Sequence, residues 1–142
     1  MIAIDTNVII AAHRREHSLH EKANARLRTI LEQDAPWGLP VFCIGEFVRV
    51  VTHARVFNPP SSLDEALRAI SGLLESPTAR LLSPGAAYFE YLSDALKNGD
   101  ARGNLAFDAQ IAAVCLEHGV DRLLTSDRDF RRFKEVVVEL LT

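Results

Sequence analysis

The chain has 142 residues, of which 48% are hydrophobic and 25% charged, and its formal net charge is -3. Such a chain forms one ordinary globular domain with a real core, which excludes a disordered polymer and a general basic glove for nucleic acid. It contains no run of ~18 apolar residues and does not open on a basic segment followed by a long apolar one, so a cytoplasmic protein with no membrane partner is expected.

Residues 1–4 are a short apolar, β-branched run suited to a buried strand. Asp5-Thr6-Asn7 interrupts it, and residues 8–12 read as the first turns of a helix. A polar stretch, residues 13–20, reads as a loop. An amphipathic helix follows over residues 20–33, with Ala23, Leu27, Ile30 and Leu31 on one side and Lys22, Arg26, Arg28 and Glu32 on the other. Residues 36–40 form a short extended piece, and Pro40 is placed to open the next helix. That helix, from Val41 to about His53, is nearly all apolar, which predicts burial on several sides.

Residues 57–61 are a loop rich in breakers. Ser62 and Glu65 fit a capping box for a helix running to about Glu75. Residues 79–82 are a strand, residues 86–96 a helix, and residues 97–100 its end. Asn104 is placed to cap a helix that ends near His118, with Gly119 at its stop. Residues 122–125 form another strand, residues 126–133 a turn and short helix, and residues 136–140 a last strand. Strands alternating with helices predict an α/β domain with a parallel sheet, and no linker or repeat divides residues 1–142. Cys43 and Cys115 lie in apolar helical patterns and read as small buried hydrophobes of a reducing compartment.

Four carboxylates stand out against this pattern. Asp5 and Asp127 each follow a short apolar strand, at the edge of a parallel sheet where ligands bind. Asp108 lies three residues after Leu105, three before Ile111 and four before Ala112, which puts it on a packing face. Glu46 shares its side of a helix with Phe42, Cys43 and Val50. Each also has a plainer role. Asp5 and Asp127 suit caps, Glu46 and Asp108 suit buried acids satisfied by a backbone amide or by one Arg, and Asp108 also suits a helix's positive end. Together they make a costly cluster. Two carboxylates ~4 Å apart repel by about 4 kcal/mol at an effective dielectric near 20, so the group needs a cation or protons. Oxygen ligands without His or Cys at matching spacing suit Mg²⁺ or Mn²⁺, and one or two such ions fit phosphodiester chemistry.

These motifs resemble those of PIN-domain proteins, and more narrowly of the VapC toxins of bacterial toxin–antitoxin pairs. The resemblance covers residues 1–133. It rests on Ile4-Asp5-Thr6-Asn7, on Glu46 in the helix after Pro40, on Asn104-Leu105-Ala106-Phe107-Asp108-Ala109-Gln110-Ile111-Ala112-Ala113, and on Leu124-Thr125-Ser126-Asp127-Arg128-Asp129-Phe130. It implies a Rossmann-like α/β/α fold with a mostly parallel sheet. It also implies a metal-dependent endoribonuclease acting on structured RNA such as tRNA or rRNA and inhibiting translation. By that resemblance Asp5, Glu46, Asp108 and Asp127 form an acidic quartet, and Thr6 and Ser126 orient carboxylates or water. A homodimer and a VapB-type antitoxin that inserts a tail near the acidic site are implied as well.

Asp127 is assigned as the fourth acid because it directly follows the strand. Asp129, two residues on, is read as the cap of the short helix ending in Arg131-Arg132. Arg102, Arg128, Arg131 and Arg132 are candidate contacts to RNA phosphates, each with a plainer reading as a solvated charge or a partner of Asp100, Asp129 or Glu135. Two other classes share some of these features. A haloacid-dehalogenase-like phosphatase also starts from an Asp after the first strand, but here the position two residues on is Asn7 and no catalytic Lys stands out. A non-catalytic binding module would keep the fold without needing the quartet.

Overall fold

The computed structural model describes residues 1–142. Strands β1 (Ile2–Ile4), β2 (Trp37–Pro40), β3 (Ala79–Leu82), β4 (Arg122–Thr125) and β5 (Val138–Leu140) alternate with helices α1 (Thr6–His13), α2 (His20–Glu32), α3 (Val41–Val51), α4 (Leu63–Leu74), α5 (Tyr88–Asn98) and α6 (Leu105–Glu117), and a 3-10 helix covers Arg128–Arg132. The strands form one sheet in the order β3-β2-β1-β4-β5, parallel at every pairing. β1 is central and its three residues are buried on both faces, as expected for a short apolar strand covered by helices on each side. No helix is long and apolar enough to cross a membrane.

This order positions the site. From β1 the chain builds outward through β2 and β3 on one side, then returns to place β4 and β5 on the other. The reversal falls between β1 and β4, and the crevice beyond the carboxyl ends of those two strands is where open α/β sheets bind ligands. The Asp5 amide continues the ladder past β1 by donating to the Leu124 carbonyl at 2.9 Å. Trp37, Leu39, Phe47, Leu123 and Leu124 are among the fully buried side chains that fix the layers. Gly38 is required in β2, because a Cβ there would lie 2.6 Å from Leu82 Cδ1 on β3.

The capping box of α4 forms as predicted: Glu65 N–H donates to Ser62 Oγ and Ser62 N–H to the Glu65 carboxylate, both at 3.1 Å. Other elements differ from the sequence reading. The extended piece before Pro40 is a full strand, β2, paired on both sides. The last strand is shorter, Val138–Leu140. α3 ends at Val51 and is buried only along Cys43, Phe47 and Val51, while Gly45 and Arg49 are exposed, because one side of α3 faces a cleft. α6 is the helix wrapped on all sides, with residues 111–115 buried in succession. Asn104 precedes α6 without capping it. Its backbone is already helical (φ -63°, ψ -23°), whereas a side-chain cap needs an extended residue there.

Candidate active site

Asp5 is only 3% exposed, and its carboxylate is held by three donors. Thr6 N–H reaches Oδ1 at 2.7 Å, Asn7 Nδ2 reaches Oδ2 at 2.9 Å, and the Thr125 hydroxyl donates to Oδ2 at 2.7 Å. The first of these is the helix cap anticipated for Asp5, so the capping role and a site role coexist. Thr125, the last residue of β4, ties the two strand ends together. Its Oγ1 accepts from Asn7 Nδ2 and from the Asp127 amide, each at 3.0 Å. Asn7 Oδ1 in turn accepts from the Ser126 amide at 2.9 Å. Thr6 and Ser126 therefore contribute through backbone N–H groups, and the buried Thr6 Oγ1 has no hydrogen-bond partner. The side chains that orient Asp5 are Asn7 and Thr125. Sequence reasoning passed over both, because they meet across 118 residues of chain.

A cleft of about 800 Å³ between α3 and α6 is lined by Glu46 from α3, Asp108 from α6 and Asp129 from the 3-10 helix, while Asp127 is not among its lining residues. Glu46 and Asp108 are half-buried and Asp129 is exposed. Asp127 caps the 3-10 helix by accepting the Asp129 amide at 2.8 Å. That overturns the reading of Asp129 as the cap, since the extended residue before the first turn is Asp127 and Asp129 already lies within the turn. Glu46 and Asp108 make no ion pair, so neither is the buried acid neutralised by one Arg that a plainer reading allows.

The electrostatics bind these groups into one unit. Burial pushes the Asp5 carboxyl up from 3.8 to about 7; the bonds from Thr125 and Thr6 hold it down, and the charges of Glu46 and Asp108 push it further up. Burial also raises Asp108 to about 6, reinforced by Asp127, Glu46 and Asp129 and opposed by Arg132. Asp5 and Asp108 thus feel the charge of the neighbouring acids at one end of the sheet. As placed, no three of them meet tightly enough to chelate a single ion. The donor set is nonetheless all oxygen, unpaired and mutually repelling, which fits a hard divalent cation and does not fit a soft one.

The four arginines named from sequence divide. Arg102 pairs with Asp100 at 3.0 Å and is solvated. Arg132 donates to the Gly99 carbonyl at 2.8 Å and acts on Asp108 through its charge. Arg128 and Arg131 are exposed without ion pairs. Arg49, one turn beyond Glu46 on α3, lines the cleft itself and was not anticipated, because its place depends on which face of α3 is covered.

A family profile described as the PIN domain matches residues 2–136. Ribonuclease VapC43 of Mycobacterium tuberculosis is 36% identical over 136 residues, covering 96% of this chain and 92% of that protein. The fold matches the VapBC2 complex of Rickettsia felis bound to a promoter DNA fragment, with a TM-score of 0.72 at 16% identity over the whole of both chains. It also matches VapC20 of M. tuberculosis, a toxin that cleaves the sarcin–ricin loop, with a TM-score of 0.65 at 19% identity over 87% of each. The chain belongs to the PIN-domain family and, within it, to the VapC ribonucleases.

Proposed function

We propose that this chain is a divalent-metal-dependent endoribonuclease, the toxin of a VapBC-type pair, and that it inhibits translation by cutting structured RNA such as tRNA or rRNA. The observation that carries this reading is the cluster of unpaired, mutually repelling carboxylates around the buried Asp5. Asp5, Glu46, Asp108 and Asp127 would hold Mg²⁺ or Mn²⁺, one ion or two, with Asp129 in support. Such an ion supplies an activated water and charge stabilisation at the leaving oxygen of a phosphodiester. The chain's own part is positional. Thr125, Asn7 and the Thr6 amide fix Asp5, and the Ser126 amide fixes Asn7. The orientation of the first acid is thereby set before substrate arrives. Arg128 and Arg131 are free to meet flanking phosphates.

The assembly follows from the same reading. A VapB-type antitoxin would silence the site, in keeping with the toxin–antitoxin complex that shares the fold. A homodimer would cover apolar surface left on α3 and α5, where Phe42, Ile44 and Val48 are half-buried and Phe89 is 76% exposed.

Cleavage of total RNA by antitoxin-free protein tests the activity, with Mg²⁺, Mn²⁺ or EDTA and Asp108→Asn as control. Discrete fragments that need metal and Asp108 are expected, and sequencing their ends identifies the target. A folded protein that cuts nothing in either metal, or that cuts equally in EDTA, overturns the reading.

A further inference from the structure

Beyond its acids, the cleft between α3 and α6 has three features that holding a cation does not call for. Phe107, the residue before Asp108, is 58% exposed and lines the cleft. Arg49 lines it from α3 and makes no ion pair, although Glu46 is one turn away. Between Phe42 and Arg49 on the same α3 face stands Gly45, where an added Cβ would meet nothing within 4 Å. A glycine inside a helix costs about 0.5–1 kcal/mol relative to alanine, and here it leaves open space beside the acids.

An exposed aromatic face, an unpaired guanidinium and an emptied wall together suit one ligand chemistry. Aromatic side chains stack bases that have left a helix, and a base held inside a duplex cannot reach such a ring. Arg is suited to phosphate by its planar fork of donors. We propose that this cleft takes an unstacked nucleotide next to the cut phosphate, with its base on Phe107, a neighbouring phosphate on Arg49, and its bulk in the space left by Gly45. This rests on the ribonuclease reading and deepens it. Phe107 and Arg49 become positioning residues that choose single-stranded segments of a structured RNA, while the acids do the chemistry.

The test is binding of fluorescein-labelled RNA hexamers of A, C, G or U with phosphorothioate linkages, against a labelled RNA duplex, in Mg²⁺. Anisotropy reads binding and a gel confirms that the probe stays intact. Phe107→Ala should weaken the best-bound hexamer about five-fold or more, Phe107→Leu should do the same, and Phe107→Trp should retain binding. Arg49→Ala should weaken it and flatten the salt dependence by about 0.7 in log–log slope, and Arg49→Lys should restore that slope. Gly45→Leu should block the hexamer without lowering the melting temperature. Duplex binding should respond to none of the Phe107 variants.

Full binding by Phe107→Leu overturns the stacking role, as does an equal loss on duplex RNA. A smaller species on gel filtration for Phe107→Ala also overturns it, because Phe107 would then be covered by a second copy. Metal-dependent cleavage of total RNA by the wild type separates the two levels. If the wild type cuts the pool while every cleft variant binds hexamers normally, this inference fails and the ribonuclease reading stands. If the wild type neither cuts nor binds RNA, the ribonuclease reading fails and takes this one with it.

Discussion

The margins and the centre of the sheet treat charge in opposite ways. At the opening edge, the amino group of Met1 pairs with Asp121. On the outer strand, Glu139 takes a two-point contact from Arg26 at 2.9 and 3.1 Å and a third bond from Arg122 at 2.9 Å. These contacts draw the Glu139 carboxyl below its ordinary range, through the Arg26 bond first. At the closing edge, Asp5 and Asp108 have no cationic side chain bonded to them and are pushed up, through burial first. The same functional group is therefore paired with cations on the outer strand and left without one at the proposed site. Carboxyls pushed up by burial in this way are the ones a proton or a bound cation would relieve, in keeping with the proposed site.

The sharpest way to break this contrast is to remove the acids left without a cation. Asp5→Asn and Asp108→Asn should each lower metal-dependent RNA cleavage by more than about a hundred-fold, since even outer partners of a metal ligand are worth about 10–100-fold. Thr125→Val, which deletes the hydroxyl that orients Asp5, should cost about 10–100-fold in the same gel assay. If Thr125→Val is fully active, the link between the two strand ends carries no catalytic weight.

The next effect is on stability without metal. Asp5 and Asp108 hold their protons to higher pH in the folded than in the unfolded chain. Folding is therefore favoured most below about pH 4 for these two groups and loses ground as pH rises through about 6 and 7. For the buried Asp5 the loss amounts to at most about 4 kcal/mol. Melting in EDTA should show this decline, and Mg²⁺ at pH 7.5 should reverse it. Asp108→Asn should gain about 1 kcal/mol in EDTA at pH 7.5, a value discounted for the half-exposed side chain. A melting temperature that rises between pH 4 and 7 in the wild type would contradict the upward shift of these two carboxyls.

The paired carboxylate on the outer strand gives the smallest effects. Glu139 holds a depressed carboxyl, so its contribution is present above the unfolded value and fades as pH falls through the folded one. Glu139→Gln should cost up to about 1 kcal/mol at pH 7, less in high salt, and nothing at low pH, by chemical denaturation. Gly45→Ala, in the open wall of the cleft, should stabilise by about 0.5–1 kcal/mol.

What was legible in the sequence was whatever depends on near neighbours. Asp5 and Asp127 announce themselves by following short apolar strands, and the capping box of α4 is written in Ser62 and Glu65. The alternation of strands and helices was enough for a parallel α/β sheet. Residues whose role is set by distant partners were not legible. Thr125 looks like an ordinary strand residue until β1 lies beside β4. Arg49 and Phe107 look like surface residues until α3 faces α6. The near-continuous apolar run of α3 concealed which side would be covered, because hydrophobicity without a polar stripe carries no direction. Asn104 had the right side chain for a cap, but its backbone is already helical.

The two cysteines, Cys43 and Cys115, are both free and buried. Burial pushes the Cys115 thiol up to about 12 and lifts the Cys43 thiol well above its ordinary value. Neither forms a thiolate in the closed molecule, so neither reacts with a thiol reagent until its surroundings open. Cys43 lies on the core side of α3, with its thiol toward the Ile4 carbonyl of β1, and Cys115 lies in the wrapped stretch of α6. The chain thus carries two internal clocks in one core, one on the buried side of α3 against β1 and one within α6. Equal labelling rates would mean that the core opens as one unit, and faster labelling of Cys43 that α3 lifts from the sheet before α6 does.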